Sequence, residues 1–116
     1  MLVTVYHLDT DDASLSFRLS TEPEKHSAAI RDLIKTGTYR PVAKVEGDLE
    51  DAYRLTQNGV ASPSWSREPP SGLTPLQTAV IHAGRAYGLR SSMVGDVFEI
   101  DGEYHVVAPV GFAPVA

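Results

Sequence analysis

The sequence predicts an α+β domain, in which a mixed or antiparallel sheet of four to six strands carries two or three helices on one face. Extended runs with period-two alternation of apolar residues occur at both ends of the chain, and an amphipathic helical stripe lies between them. The length of 116 residues is enough for one modest core, so we expect a single domain covering residues 1–116.

The first third of the chain contains two predicted strands followed by a helix. Leu2–Leu8 alternates along its length and is rich in β-branched and aromatic residues, which predicts a strand. Residues 15–19 repeat the alternation and predict a second, short strand. Thr21, with Glu24 three residues later, matches a capping box and predicts a helix that ends at Gly37. The apolar stripe of this helix consists of His26, Ala29, Ile30, Leu33 and Ile34.

A third strand and a short helix follow. Residues 39–45 predict a strand, and Pro41 within it indicates a sheet edge or a bulge. An edge strand here would allow pairing with a second copy, so a homodimer is one expectation. Asp48 caps a predicted helix over residues 49–57. Residues 60–73 form a loop rich in proline and serine, and loops of this length are often functional.

Residues 74–86 allow two interpretations. Thr74 and Gln77, with Pro75 between them, match a capping box with proline at the first helical position, so we predict a helix. The β-branched Val80 and Ile81 favour an extended segment instead.

The last quarter of the chain predicts a C-terminal β-hairpin. Residues 96–101 and 103–107 alternate around Asp101-Gly102. An Asp-Gly pair suits a type I′ turn, because both positions tolerate a positive φ and the twist matches the strands.

Composition limits the function classes. The formal net charge of −5 argues against non-specific nucleic-acid binding. Cysteine is absent, which excludes disulfides and thiolate metal sites and fits a reducing cytoplasm. No apolar run is long enough for a membrane span, and the four histidines lack metal-ligand spacing. We therefore expect a cytoplasmic protein without a metal site or cofactor.

A catalytic site has only weak support in the sequence. His7 and Asp9 fall on one face of the first strand, and His105 could lie on a neighbouring strand, which is a minimal arrangement for a general base. The nucleophile would come from Ser91-Ser92 or from residues 62–66, but these hydroxyls are more typical of turns. We expect no catalytic residue.

Aromatic residues and arginines in the second half predict a binding surface. Trp65, Arg85, Tyr87 and Arg90 are residue types that dominate protein interfaces, and they can also stack on nucleic-acid bases. The negative net charge favours the protein interface. A third interpretation is that Trp65 folds back and covers the core.

The segment RSSMVGDV, Arg90 to Val97, followed by Tyr104 and then Gly111-Phe112, resembles the YodL-like family of phage, plasmid and mobile-element proteins. The helix-forming segment 49–57 is similar as well, whereas Met93 stands where that family usually has serine. Turn chemistry favours a structural role for these motif residues. They are Ser91, Gly95, Asp96, Gly111 and Phe112.

The resemblance implies a non-enzymatic accessory protein of a phage or mobile element. Such a protein would bind a host or phage protein and modulate host defence or restriction. The alternatives are a nucleic-acid-associated regulatory factor and a small hydrolase-like enzyme. An Arg90–Asp96 ion pair at the entry to the hairpin is a further expectation from the residues themselves.

Overall fold

A six-stranded antiparallel sheet, a separate two-stranded ribbon and three α-helices make up the protein in a computed structural model that describes residues 1–116. The strand order in the sheet is β3-β2-β1-β6-β7-β8, and β4 pairs only with β5. None of the helices is long and apolar enough to cross a membrane. The elements are β1 (Leu2–Leu8), α1 (Ala13–Thr21), α2 (Ser27–Thr36), β2 (Tyr39–Glu46), α3 (Leu49–Leu55), β3 (Leu73–Pro75), β4 (Val80–His82), β5 (Arg85–Tyr87), β6 (Val97–Ile100), β7 (Glu103–Val107) and β8 (Phe112–Pro114).

The α+β class and the antiparallel sheet are confirmed, but the helices occupy both faces of the sheet. β1 has the predicted alternation: Val3 and Val5 point into one core cluster, and Tyr6 and Leu8 pack against the other. The first cluster includes side chains of α3, and the second includes side chains of α1 and α2. Because both faces of the central strand are apolar, each needs a cover, and a one-sided arrangement would leave one face in water.

The segment predicted as a second strand is the helix α1. A five-residue apolar alternation also places Leu15 and Leu19 four residues apart, on one side of a helix, and Leu19 is buried there. Asp12 is the N-cap that favours the helix, because its carboxylate accepts the backbone N–H of Leu15 in the first turn. Thr21, predicted as a helix start, ends α1 instead, and its hydroxyl donates to the carbonyl of Phe17.

Ile30, Leu33 and Ile34 of the predicted stripe pack in the core from α2, whereas Ala29 is exposed and His26 precedes the helix. The N-cap of α2, His26, lies five residues after the predicted cap Thr21. A 3-10 turn over Pro23–Lys25 separates α2 from α1. Ile30 of the stripe is buried, and Gly37 ends the helix with the left-handed backbone, at φ 83°, that glycine tolerates.

Pro41 was predicted to mark either a sheet edge or a bulge; the bulge is correct and the sheet edge is wrong. β2 lies between β1 and β3, and its register with β1 slips between Tyr6–Pro41 and Val5–Ala43, which leaves Val42 as the extra residue. On its outer side β2 pairs with β3 over Ala43–Val45, so the open edge from which a homodimer was expected is occupied there; the homodimer itself stays a prediction.

Residues 74–86 contain no helix; the extended alternative holds. β4 and β5 form a hairpin around Ala83 and Gly84, which have φ values of 52° and 75°. The β-branched Val80 and Ile81 prefer this pleated conformation. Gly84 adopts its positive φ without steric cost, whereas Ala83 does so against the preference of its side chain.

The C-terminal hairpin is confirmed. β6 and β7 pair with Ile100 opposite Glu103, and Asp101 and Gly102 between them have φ values of 52° and 81°, as a type I′ turn requires. The short helix capped by Asp48 is confirmed as α3, where Asp48 and Asp51 form a reciprocal capping box.

Candidate functional site

A cleft of about 390 Å³ opens between the β4–β5 ribbon and the adjoining ends of β1 and β2. It combines apolar walls with a histidine and an ion pair, and this is the usual composition of a ligand-binding cleft. The lining residues are His7, Leu8, Asp9, Arg40, Val42, Gln77, Val80, Gly88, Leu89 and Arg90.

A chain of three buried polar side chains starts at the cleft and runs inward. His7 Nε2 lies 3.0 Å from the hydroxyl oxygen of Ser92, which lies 2.7 Å from the hydroxyl oxygen of Thr56. The Thr56 hydroxyl donates to the carbonyl of Ala52, one helical turn earlier, at 2.7 Å. Since each hydroxyl has a single hydrogen, Ser92 must donate to Thr56, and His7 Nε2 must donate to Ser92.

This order of donors assigns the tautomer of His7 from the hydrogen-bond network. Nε2 carries the proton, and the Asp96 carboxylate at 3.9 Å stabilises a proton on that side. The other ring nitrogen, Nδ1, has no hydrogen-bond partner in the protein and is not fully buried. Nδ1 is therefore an acceptor in a residue that lines the cleft.

Burial keeps His7 neutral. Desolvation is the main cause, and it lowers the pKa of His7 from 6.5 to about 4; Asp96 raises the pKa, and Arg90 lowers it. The ring also packs edge-on against the indole of Trp65, with centroids 5.9 Å apart. A charged imidazolium would lose hydration, and the attraction of Asp96, which Arg90 already neutralises, offsets only part of that loss.

We expect acid to destabilise the fold through His7. Its pKa is about 4 in the folded protein and near 6.5 in the unfolded chain, so the unfolded chain takes up the proton first as the pH falls. The free energy of unfolding should fall by about 3 kcal/mol as the pH drops from about 6.5 to about 4, and change little above that window. Urea unfolding at several pH values measures this.

The control variant is His7→Gln, which keeps an amide N–H for Ser92 but does not titrate. Between about pH 7 and about pH 5, its stability should depend on pH less steeply than that of the wild type. Parallel curves for the two proteins would contradict the assigned burial of a neutral imidazole.

The predicted Arg90–Asp96 pair exists, but it is not a surface bridge. Asp96 is 1% exposed, and both of its oxygens accept from the Arg90 guanidinium, at 2.7 and 2.8 Å. Backbone N–H groups of Leu8 and Met93 donate to the same carboxylate. Burial lowers the pKa of Arg90, but the hydrogen bonds to Asp96 and the negative charge of Asp96 raise it by more. The net effect is a raised pKa. Arg90 ties the hairpin entry to the end of β1 through Asp96 and the carbonyl of Leu8, and its side chain is still 39% exposed.

The prediction that Trp65 lies on an interaction surface is wrong. The indole is 0% exposed within the core cluster of β1 and α3, and its N–H donates to the carbonyl of Arg90 at 2.9 Å. The interpretation that the loop folds back over the core is correct. The loop of residues 60–73 closes the sheet face beside α3, and its Ser66 hydroxyl accepts the N–H of Leu89, which lines the cleft.

The other two predicted interface residues, Arg85 and Tyr87, are exposed on the ribbon. The guanidinium of Arg85 lies 6.0 Å from the ring centroid of Tyr87, at cation–π distance. Ile81 is 73% exposed, and Val80 and Tyr87 are 45% and 46% exposed. A small strand pair with this much exposed apolar surface is a candidate contact element.

The motif residues make contacts within the fold. The hydroxyl of Ser91 accepts the N–H of Asn58, and Phe112 packs on Phe98 with ring centroids 5.5 Å apart. Gly95 has φ 98°, and a Cβ there would lie 2.9 Å from the carbonyl oxygen of Leu19. Gly111 was expected to permit a close strand approach; instead it has open space around it, and its φ of 68° is what requires glycine.

The catalytic arrangement considered from the sequence included His7 and Ser92, which are in contact, but it paired His7 with the wrong carboxylate. Asp9 pairs with Arg40 at 2.9 Å, and Asp96, from the opposite end of the sequence, is the acid near His7. Ser92 is 2% exposed and its proton is committed to Thr56, so it is not placed to attack a ligand. The structure brings together no group of three or more acidic or histidine side chains that could hold a metal ion.

The fold and the cleft define an α+β domain with a buried polar chain beneath a projecting ribbon. No protein-family model, no curated protein and no solved structure matches the chain.

Proposed function

We propose that the protein is a non-enzymatic interaction domain that binds another protein through the β4–β5 ribbon. The observation that carries the proposal is the exposure of large apolar side chains on the ribbon: Val80, Ile81 and Tyr87. Two residues predicted to contact a partner, Arg85 and Tyr87, belong to the same element. Apolar surface presented outside the main sheet favours a protein contact over solvent.

The base of the ribbon is fixed, which favours a preformed contact element. The buried Ser66 hydroxyl donates to the carbonyl of Thr78 and accepts the N–H of Leu89, so it joins both ends of the ribbon to the loop of residues 60–73. Arg67 adds a bond to the carbonyl of Ala86. A contact element held in this way loses little conformational entropy on binding.

The edges of the main sheet are poor alternatives to the ribbon. β3 and β8 are each three residues long, and each ends in a proline, Pro75 and Pro114. Short edges with proline resist strand addition. The ribbon is therefore the better candidate for a contact with another chain.

Charge indicates the chemistry of the partner. Residues 69–95 contain no aspartate or glutamate, although the whole chain has a net charge of −5. Arg85 and Arg90 are the charged residues in this stretch, and Arg90 is neutralised by Asp96. The ribbon is thus apolar and weakly basic on an acidic protein. It suits a partner surface that is apolar with acidic residues around it.

The resemblance to YodL-like proteins supports a mobile-element setting for this proposal. In that setting the partner is a host or phage protein in the cytoplasm, and the effect is modulation of host defence or restriction. A nucleic-acid partner is less well supported, because two arginines near the ribbon, Arg40 and Arg90, are already paired with carboxylates. A hydrolase is less well supported because Ser92 is buried.

The test combines crosslinking with affinity. A photo-crosslinking residue at position 87 should capture one defined protein in the native host, and the same residue at position 110 should not. With the captured protein purified, Ile81→Asp should weaken binding at least about tenfold, because it places a carboxylate in an apolar, acid-rimmed contact. Val110→Asp is the matched control, since Val110 is 92% exposed and lies far along the chain in the β7–β8 turn.

Equal affinity of wild type and Ile81→Asp would contradict the proposal. A second copy of this chain captured at position 87, with Ile81→Asp converting a dimer to a monomer, would make the ribbon a self-association element instead. Tight binding to a single-stranded oligonucleotide that weakens steeply with salt would favour the regulatory-factor alternative. Ile81→Asp and Val110→Asp should both unfold at the wild-type urea midpoint, because both positions are exposed.

A further inference from the structure

His7, which lines the cleft beside the ribbon, carries one acceptor nitrogen held in a single tautomer. Thr56 and Ser92 fix the proton of His7 on Nε2, which leaves the lone pair of Nδ1 without a partner in the protein. An acceptor nitrogen held in one tautomer selects ligands that carry an O–H or N–H group. A purely apolar group in the same place would leave the nitrogen desolvated and unpaired.

The cleft is lined by both apolar and polar side chains. Leu8, Val42, Val80 and Leu89 line it together with the amide of Gln77. Arg40 lines it as well, and its ion pair with Asp9 uses one guanidinium nitrogen, Nη1, so other donors of Arg40 remain unpaired. The cleft therefore offers an apolar slot, an acceptor and additional donors.

We propose that this cleft receives a tyrosine side chain of the protein partner, with its hydroxyl donating to His7 Nδ1. The inference rests on the proposed function, because the cleft shares Val80 with the ribbon. A phenol fits better than an indole, because its hydroxyl can donate to Nδ1 and also accept from Arg40 or Gln77, whereas an indole N–H only donates. A phenylalanine ring would leave Nδ1 unpaired, and a lysine would need more acceptors than Nδ1 and the engaged Asp9 supply.

Tyrosine is also the residue type expected at the centre of a protein contact. It buries a large apolar body and keeps one polar tip, and it is enriched among residues that dominate binding energy. The ribbon and the adjoining cleft would together form one continuous contact surface for the partner. The ribbon would cover one side of it, and the cleft would hold one side chain.

The first test uses the isolated protein and p-cresol, which is the tyrosine side chain as a small molecule. Nitrogen NMR of labelled histidine should show Nε2 protonated and Nδ1 bare in the free protein. Addition of p-cresol should shift the Nδ1 resonance saturably, and toluene, which lacks only the hydroxyl, should bind about three- to tenfold more weakly. Val80→Glu should abolish the shift, and Val60→Glu, the same change at an exposed valine outside the cleft, should not.

A proton on Nδ1 in the free protein would overturn the inference, as would equal binding of p-cresol and toluene or no shift with p-cresol. The second test changes each tyrosine of the captured partner to phenylalanine. One of these changes should weaken the complex about three- to tenfold, and no effect from any of them overturns the inference. If p-cresol fails while Ile81→Asp still disrupts the complex, the ribbon function stands without the tyrosine. If p-cresol binds while Ile81→Asp has no effect, the ribbon function fails, and the cleft is a site for small phenols.

Discussion

Trp65→Ala is expected to lower the free energy of unfolding by about 3–5 kcal/mol. The indole is 0% exposed, lies against His7 and fills the core between the sheet and the loop of residues 60–73. Its removal would leave a cavity and an unpaired carbonyl at Arg90. Urea unfolding followed by circular dichroism measures the loss.

Two further variants separate the causes of this loss. Trp65→Phe keeps an aromatic ring but removes the N–H donor, and should cost less than the alanine change. Tyr87→Ala removes an aromatic side chain from the exposed ribbon, and its effect should stay within about 0.5 kcal/mol. A Trp65→Ala protein as stable as the wild type would mean that the indole lies on the surface in solution, as the sequence first suggested.

Asp96→Asn should cost about 3–5 kcal/mol, because it removes one charge of a pair whose acid is buried. The carboxylate accepts four hydrogen bonds, two from Arg90 and one each from the N–H groups of Leu8 and Met93. An asparagine has one acceptor oxygen, and its amide group would face donors. The loss should appear as a lower urea midpoint at neutral pH.

A double-mutant cycle tests whether the pair acts as a unit. Arg90→Met alone leaves a buried charge unpaired, so the double variant Asp96→Asn/Arg90→Met should lose less stability than the sum of the single changes, by about 1–3 kcal/mol. The exposed pair of Arg40 and Asp9 is the matched comparison, and Arg40→Met should cost about 0–1 kcal/mol. Additive effects in the Asp96–Arg90 cycle would contradict the assigned geometry.

The sequence predicted best where a local signal and a long-range requirement agree. Asp101-Gly102 predicts its turn from the two residues alone. The alternation of Leu2–Leu8 predicts a strand, and the structure places that strand at the centre of the sheet. Asp48 marks the start of α3 because its capping partner lies only three residues away. Each of these features depends on neighbours that are close in sequence.

The wrong secondary-structure predictions concern short segments whose residues fit a helix and a strand equally well. Residues 15–19 satisfy both a strand alternation and a helical spacing, and the N-cap at Asp12 favours the helix. Residues 74–86 begin like a helix, but Val80, Ile81 and the Ala83-Gly84 turn outweigh the apparent capping box. In both cases, turn or cap residues decided the outcome.

The candidate site was only partly accessible to sequence reasoning. Asp96 and Gly95 were identified through turn chemistry, which is local. The contact of His7 with Ser92 joins residues 85 positions apart, and that of Thr56 with Ser92 joins residues 36 positions apart. No spacing rule links such positions, because sheet topology brings them together. The burial of Trp65 depends in the same way on the path of the loop.

Hydrogen exchange on the complex with the captured partner tests the central claim, that the ribbon is the contact surface, most directly. Amide protection should rise over residues 80–87 and stay unchanged in β8, at the far edge of the sheet. Protection that appears along β8 or over the outer surface of α1, with none in the ribbon, would contradict the account.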